Sequence, residues 1–76
     1  MNQIDTRPVG TVKVIAKAAN FNDVLRSTNI IRDLARTNST RGEFEAAVES
    51  KIKSGDIPVR ELSVKYEDGT SHEFTW

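Results

Sequence analysis

The chain has no cysteine among its 76 residues and only one histidine. Without cysteine it cannot build a disulfide framework or a thiolate metal site, and His72 has no second histidine with which to share a metal ion. A serine nucleophile needs a base held by a third group, and only His72 could serve. The four glycines are scattered, so none belongs to a phosphate-binding turn. We therefore expect a non-enzymatic protein without metal or cofactor, in which His72 is structural or half-exposed.

Long hydrophobic runs are also absent. No apolar stretch approaches the roughly 20 residues of a membrane span, and the polar start of the chain lacks the basic and then apolar pattern of a secretory signal. We expect a cytoplasmic protein that does not bind membranes. The length predicts a single domain over residues 1–76.

The chain has no net charge, because eleven Lys and Arg residues balance eleven Asp and Glu residues. Its halves nevertheless differ. Residues 1–41 carry seven cationic side chains against three carboxylates, a net charge of +4, and residues 42–76 carry four against eight, a net charge of −4. Either this asymmetry orients the protein on a charged partner, or folding mixes the two halves and cancels it.

The N-terminal part predicts a single strand. Residues 1–10 lack periodicity and are expected to form a loose lead-in. Residues 11–18 alternate β-branched and polar side chains, which predicts a strand with one covered face. Ile15 interrupts the polar side of this strand, so that side is expected to be partly covered too.

A helix is predicted over residues 21–37, with Asn20 as its N-cap. The apolar stripe of its first turns, which includes Phe21 and Leu25, lies about 100° around the axis from the stripe of its later turns. One helix with a bend is the preferred interpretation. The alternative is a break near residues 27–29, where polar side chains could cap a new start.

A second helix is predicted over residues 40–54. Thr40 and Glu43 fit a capping box at its start, and Gly55 fits a left-handed residue after its end. The glutamates of this helix are interpreted as a solvated face rather than as an acid–base pair.

The remaining residues predict a hairpin with strands over 59–67 and 70–76. A two-residue loop at Asp68 and Gly69 would pair Val64 with Glu73. A three-residue loop with Gly69 in the left-handed conformation would pair Val64 with His72 and collect the large apolar side chains on one face. The second register is predicted.

These elements predict an α+β fold of order β-α-α-β-β, in which a three-stranded, mainly antiparallel sheet carries both helices on one face. The other face is expected to stay open to solvent, which antiparallel sheets tolerate. The predicted core consists of Val12, Val14, Ala16, Leu25, Ile31, Leu34, Phe44, Val48, Leu62, Val64, Tyr66 and Phe74.

One group of polar residues is a candidate binding surface. Arginine and asparagine side chains suit carboxylates, phosphates and base edges. On the first helix they are Arg26, Asn29, Arg32 and Arg36, and the first strand adds Lys13 and Lys17. The alternative is an ordinary solvated helix face.

The strand and two helices over residues 11–54 resemble a ribbon-helix-helix DNA-binding subunit. This resemblance implies that Thr11, Lys13 and Ile15 contact bases. In that family the strand pairs with a dimer mate, and a C-terminal hairpin such as residues 62–76 is an addition to the pattern.

Three function classes follow. The preferred one is a non-catalytic binding protein, a stand-alone inhibitor, adaptor or regulator that docks onto a partner protein or protein complex through charged surface. The alternative is a nucleic-acid-binding regulator, either ribbon-helix-helix-like or using the arginine helix, although such domains usually carry a basic excess. The third is a small enzyme or assembly subunit that acts only in an oligomer, with Phe74 and Trp76 in a homodimer contact.

Overall fold

The computed structural model describes residues 5–76 and confirms the α+β fold. The elements follow the chain as β1 (Lys13–Lys17), α1 (Phe21–Thr37), α2 (Arg41–Lys53), β2 (Glu61–Lys65) and β3 (Ser71–Phe74). The strands form one antiparallel sheet in the order β1-β2-β3. Because β1 pairs with β2 of the same chain, the arrangement differs from the ribbon-helix-helix family, in which that strand pairs with a dimer mate.

Helix α1 is unbroken over its 17 residues, so the alternative break near residues 27–29 is wrong. The Asn20 side chain caps it by accepting a hydrogen bond from the Asp23 amide at 2.9 Å. A single continuous helix can turn only one of its two apolar stripes towards the sheet, and here the later stripe, centred on Ile31, is buried. Leu25, which was predicted to lie in the core, is instead 47% exposed.

Helix α2 begins at a cap formed partly by the N-terminal segment. The first amides of a helix lack acceptors within the helix. Here the Arg41 amide donates to the Arg7 carbonyl and the Gly42 amide donates to the Asp5 carbonyl, both at 2.9 Å. The Thr40 hydroxyl accepts from the Glu43 amide at 3.3 Å, which is one of the two bonds of the predicted capping box. The reciprocal bond from the Thr40 amide to the Glu43 carboxylate is not formed within the described residues 5–76.

The expectation of a loose lead-in is therefore wrong for residues 5–10, and residues 1–4 lie outside the described part of the chain. Residues 5 and 7 cap α2 through their carbonyls, and Val9 is 3% exposed within the core. The sequence pattern missed this segment because its contacts are backbone hydrogen bonds and one isolated apolar side chain, neither of which has a period.

The core lies between the inner face of the sheet and the two helices. Phe44 and Val48 of α2 meet Ile31 of α1 and the inner residues of β2. Val14, Ala16 and Leu34 pack against this cluster while partly buried. Three buried apolar residues were not predicted, and all lie outside the regular elements: Val9, Ile57 and Val59.

The hairpin has the predicted three-residue register. Val64 pairs with His72, the Tyr66 amide donates to the Thr70 carbonyl at 2.8 Å, and Gly69 has a φ of +88°. The Gly69 amide also donates to the Tyr66 carbonyl, which closes a turn followed by a left-handed bulge.

A buried arginine ties three parts of the fold together. Arg41 is 5% exposed, and its guanidinium carbon lies 4.0 Å from the centre of the Tyr66 ring. Its nitrogens donate to the Pro8 carbonyl, the Thr70 hydroxyl and an Asp68 carboxylate oxygen, each at 3.1 Å. The N-terminal segment, α2 and the hairpin loop are thus joined through one side chain.

The glutamates of α2 do not form a uniformly solvated face. Glu43 and Glu49 are exposed, but Glu45 accepts a 2.5 Å hydrogen bond from the Tyr66 hydroxyl. A second oxygen of Glu45 lies 3.6 Å from Nδ1 of His72, whose ring packs edge-on against Phe74. Glu45 is drawn inward because the sheet presents a hydroxyl and an imidazole beneath it.

Candidate binding surface on β1 and α1

Helix α1 runs antiparallel beside β1, and two depressions open along the seam between them. At one end, residues 10–12 face the later turns of α1 across a cleft of about 600 Å³. At the other end, residues 16–19 face the start of α1 across a depression of about 840 Å³. The seam therefore offers two shallow depressions, one at each end of β1.

The first cleft brings together three of the four predicted helix residues, which are Asn29, Arg32 and Arg36. Arg36 forms an ion pair with Asp33, one turn earlier. Arg32 is exposed and forms no ion pair within residues 5–76. The cleft thus presents arginine and amide donors beside the backbone of residues 10–12.

Arg26, the fourth predicted helix residue, is exposed on α1 but does not line this cleft. It lies between the two depressions in sequence, and it has no carboxylate partner within the described residues 5–76. It adds positive charge to α1 without a defined contact.

The two predicted lysines lie on the open face of the sheet. Lys13 and Lys17 are exposed, with Ile15 between them at 51% exposure. Lys17 pairs with Glu61 of the neighbouring strand at 3.2 Å. The expectation that this side is partly covered does not hold for Ile15 within residues 5–76, because its side chain is half open to solvent.

The second depression adds an apolar element, which the sequence pattern placed on the first apolar stripe of α1. Phe21 lines it together with Val24 and is 72% exposed. Phe21 and Ile15 are thus large apolar side chains on an otherwise cationic surface. The only sequence signals were the position of Ile15 on a polar strand face and the offset between the two apolar stripes of α1.

β1 and α1 hold more cations than carboxylates, although Lys17 pairs with Glu61 of β2 and Arg36 pairs with Asp33. β1 and α1 together hold five cationic side chains against the two carboxylates of Asp23 and Asp33, a net charge of +3. We call the surface formed by Lys13, Ile15, Lys17, Phe21, Arg26, Asn29, Arg32 and Arg36 the β1–α1 surface.

A further depression of about 620 Å³ lies on the open face of the sheet and is lined partly by Trp76, which is 58% exposed. Its charged lining includes both signs, with Lys17 and Arg60 beside Glu61 and Glu73. Ile15 and Lys17 line it too, so this depression borders the β1–α1 surface at β1.

Three carboxylates with lowered pKa values act within the fold. Hydrogen bonds from Thr70 and Arg41 lower the pKa of Asp68 to about 2, and hydrogen bonds from Arg7 lower that of Asp5 to about 2. A hydrogen bond from the Thr11 amide, at the edge of the first cleft, lowers the pKa of Glu67. The carboxylates of Asp68 and Glu67 each join two segments of the chain, whereas that of Asp5 binds within its own segment.

Among the described residues, no three His, Cys, Asp or Glu side chains are grouped so that they could hold a metal ion. None of the helices within residues 5–76 is long and apolar enough to cross a membrane.

Comparison of the chain with protein-family models, with curated proteins and with solved structures yields no match in any of the three. The interpretation of the β1–α1 surface therefore rests on its geometry and charge.

Proposed function

We propose that this protein is a non-catalytic binding domain that docks through its β1–α1 surface onto an acidic region of a partner protein, as an inhibitor, adaptor or regulator would. The observation that carries this proposal is the concentration of positive charge on two adjacent elements in a chain without net charge. The apolar side chains of Ile15, on the open face of the sheet, and of Phe21, on the helix face, both border β1 and would be covered in a complex.

The contrast between the arginines supports this proposal. The guanidinium of Arg41 is fully engaged inside the fold by three acceptors and an aromatic ring. Arg26 and Arg32, by contrast, extend into solvent from α1. Exposed cations on one side of a molecule mainly raise the rate of association with an oppositely charged surface.

In this proposal His72, the sole histidine, has a structural role. His72 lies on β3, at the opposite edge of the sheet from β1, where it contacts Phe74 and Glu45. The proposal therefore assigns no proton transfer to the β1–α1 surface and treats its side chains as binding groups.

The test compares a charge-reversed variant with a matched control. Arg32→Glu/Arg36→Glu reverses the cleft, whereas Lys51→Glu/Lys53→Glu reverses two cations in the last turn of α2. Immobilised wild-type protein and the control should capture the same protein from a cell extract, and the cleft variant should not. With the captured protein purified, its association rate with the wild type should fall as salt is raised.

Two results would overturn the proposal. One is capture of the same protein at the same rate by the cleft variant at low salt. The other is retention of labelled DNA or RNA at physiological salt, with a steep fall of affinity with salt concentration, which would favour the nucleic-acid-binding alternative. Circular dichroism of each variant checks that the fold is intact.

A further inference from the structure

β1 is an edge strand of the sheet, because the strand order is β1-β2-β3. The alternation of hydrogen bonds along the sheet decides which residues of β1 face outward. In an antiparallel ladder, alternate residues of a strand bond to the neighbour on one side. Because the Tyr66 amide bonds to Thr70 of the hairpin, residues 62 and 64 bond to β3, and residues 61, 63 and 65 bond to β1. Residues 13, 15 and 17 of β1 therefore face β2.

It follows that the amides and carbonyls of Val14 and Ala16 point away from the sheet. Neither residue takes part in a hydrogen bond with another element within residues 5–76 outside the β1–β2 ladder. An exposed row of backbone donors and acceptors is a template for an added strand.

The surroundings of this edge carry more cations than carboxylates on both faces of the sheet, with Glu61 paired to Lys17 and Asp33 paired to Arg36. On the open face, Lys13 and Lys17 flank Ile15. On the helix face, the edge is bordered by α1, with Arg32 and Arg36 beside residues 10–12 and Phe21 beside residues 16–19. A strand added here would have basic neighbours above and below it.

This charge pattern argues against a second copy of the chain as the occupant. Two copies of β1 paired antiparallel about Ile15 would bring each Lys13 opposite a Lys17. Like charges directly opposite each other on neighbouring strands are destabilising. Lysines on an edge strand are a common means of preventing such self-pairing.

The other edge of the sheet has a different character. The outer edge of β3 carries Glu73 between Ser71 and Thr75, and β3 has only four residues. No cation of α1 borders it, because β3 lies two strands away from β1. An acidic strand therefore finds its complement at β1 and not at β3.

We propose that an extended acidic segment of the partner protein adds to β1 as a fourth strand of the sheet. Acidic side chains lie opposite Lys13 and Lys17, with an apolar side chain opposite Ile15. On the helix face, the segment places a further carboxylate near Arg32 and an apolar side chain near Phe21. This inference rests on the proposed protein-binding function and specifies the form that the partner takes.

A synthetic peptide tests this inference without altering the protein. The probe is a nine-residue capped peptide of β-branched residues, with glutamates at the two positions opposite Lys13 and Lys17 and a valine between them. Its control carries lysines in place of those glutamates. The glutamate peptide should bind in a calorimetric titration, and the lysine peptide should not.

Backbone methylation of the probe separates strand addition from general charge attraction. Methylating the two peptide amides that face Val14 and Ala16 removes their donors, which should weaken binding about tenfold or more. Methylating two amides of opposite parity should leave the affinity within about twofold. Equal affinities for the two methylated peptides would overturn the strand-addition model.

Amide hydrogen exchange provides the readout on the protein. At a peptide concentration ten times Kd, exchange at Val14 and Ala16 should slow about tenfold, whereas exchange at Ile15, which already bonds to β2, should change little. The variant Lys13→Glu/Lys17→Glu should lose the glutamate peptide and bind the lysine peptide. Unchanged exchange at both edge amides would refute the inference.

Failure of this inference and failure of the proposed function are distinguishable. If Arg32→Glu/Arg36→Glu abolishes capture of the partner protein but no probe peptide protects β1, the β1–α1 surface binds its partner through side chains alone. If protection of the β1 edge instead comes from pairing of two copies of the protein, sedimentation will show a dimer. The proposal that an acidic strand of a different protein adds to β1 is then wrong.

Discussion

Replacing Arg41 with methionine should destabilise the fold far more than replacing any exposed arginine. The change keeps the apolar stem but removes the guanidinium, and with it all three hydrogen bonds and the contact with the Tyr66 ring. Pro8, Thr70 and Asp68 are exposed residues, so their acceptors can recover part of this loss by binding water.

The magnitude follows from these contacts. Hydrogen bonds that involve a charged group contribute about 1.5–3 kcal/mol each, and methionine recovers part of that through apolar burial. We expect a loss of about 2–4 kcal/mol in the free energy of unfolding, from a total of about 4–11 kcal/mol for a 76-residue domain. At about 4–8 °C per kcal/mol for this size, Tm should fall by roughly 8–32 °C.

The assay is urea and thermal unfolding followed by circular dichroism. The control is Arg36→Met, whose ion pair with Asp33 is exposed and should contribute about 0–1 kcal/mol. Arg41→Lys should be intermediate, because an ammonium keeps the charge but cannot reach three divergent acceptors. An Arg41→Met protein as stable as the wild type would show that the guanidinium network contributes nothing net.

Three further predictions concern the interior and its titrating groups. Ser27→Ala should stabilise the protein by about 1 kcal/mol in urea unfolding. The Ser27 hydroxyl is fully buried without a hydrogen-bond partner within residues 5–76, and alanine is the better helix former. A loss of stability would contradict this. Burial and the hydrogen bond to Glu45 raise the pKa of Tyr66, so the stabilising effect of this tyrosine is present below about pH 10 and is lost above it. Absorbance at 295 nm should show tyrosinate only as the protein unfolds. Ionisation of Tyr66 near pH 10 while the protein keeps a native spectrum would refute this prediction. Because hydrogen bonds from Thr70 lower the pKa of Asp68 to about 2, the contribution of Asp68 to stability is complete above about pH 4 and is lost as pH falls towards 2. In thermal unfolding at stepped pH, Asp68→Asn should reduce the dependence of Tm on pH over that range. An unchanged dependence would be evidence against this prediction.

The parts of the fold that the sequence could predict are those governed by local periodicity and capping. Residues 21–37 form the predicted helix because Asn20 caps it and its later apolar stripe is regular. The hairpin register was predictable because alternation on both sides of Gly69 is consistent with one loop length only. In each case the deciding contacts lie within about ten residues of each other in the chain.

The parts that escaped prediction depend on contacts distant in sequence. Arg41 binds Pro8, Asp68 and Thr70, which lie 33, 27 and 29 residues away. A capping residue with a charged neighbour indicates a helix start but not a buried network. The fate of Leu25 likewise depended on which of two apolar stripes the sheet would take, and only the packed structure decides that.

The candidate surface was predictable in its residue types but not in its shape. The polar face of α1 and the lysines of β1 follow from periodicity, whereas the cleft exists because residues 10–12 pass beside Arg32 and Arg36. The free edge at Val14 and Ala16 follows from the hairpin parity, which in turn depends on the loop at Gly69.

The arrangement of charge separates stability from binding within one small domain. On one side, Arg41 engages its donors with carbonyl, hydroxyl and carboxylate groups, and its removal should cost folding free energy. Arg32, by contrast, is exposed and forms no ion pair within the described residues 5–76. Its removal should therefore leave the free energy of unfolding within about 0.5 kcal/mol, while charge reversal there should weaken docking. If the exposed cations of the β1–α1 surface were only solvated, charge reversal at Arg32 would not weaken binding. The association rate would then not depend on salt either.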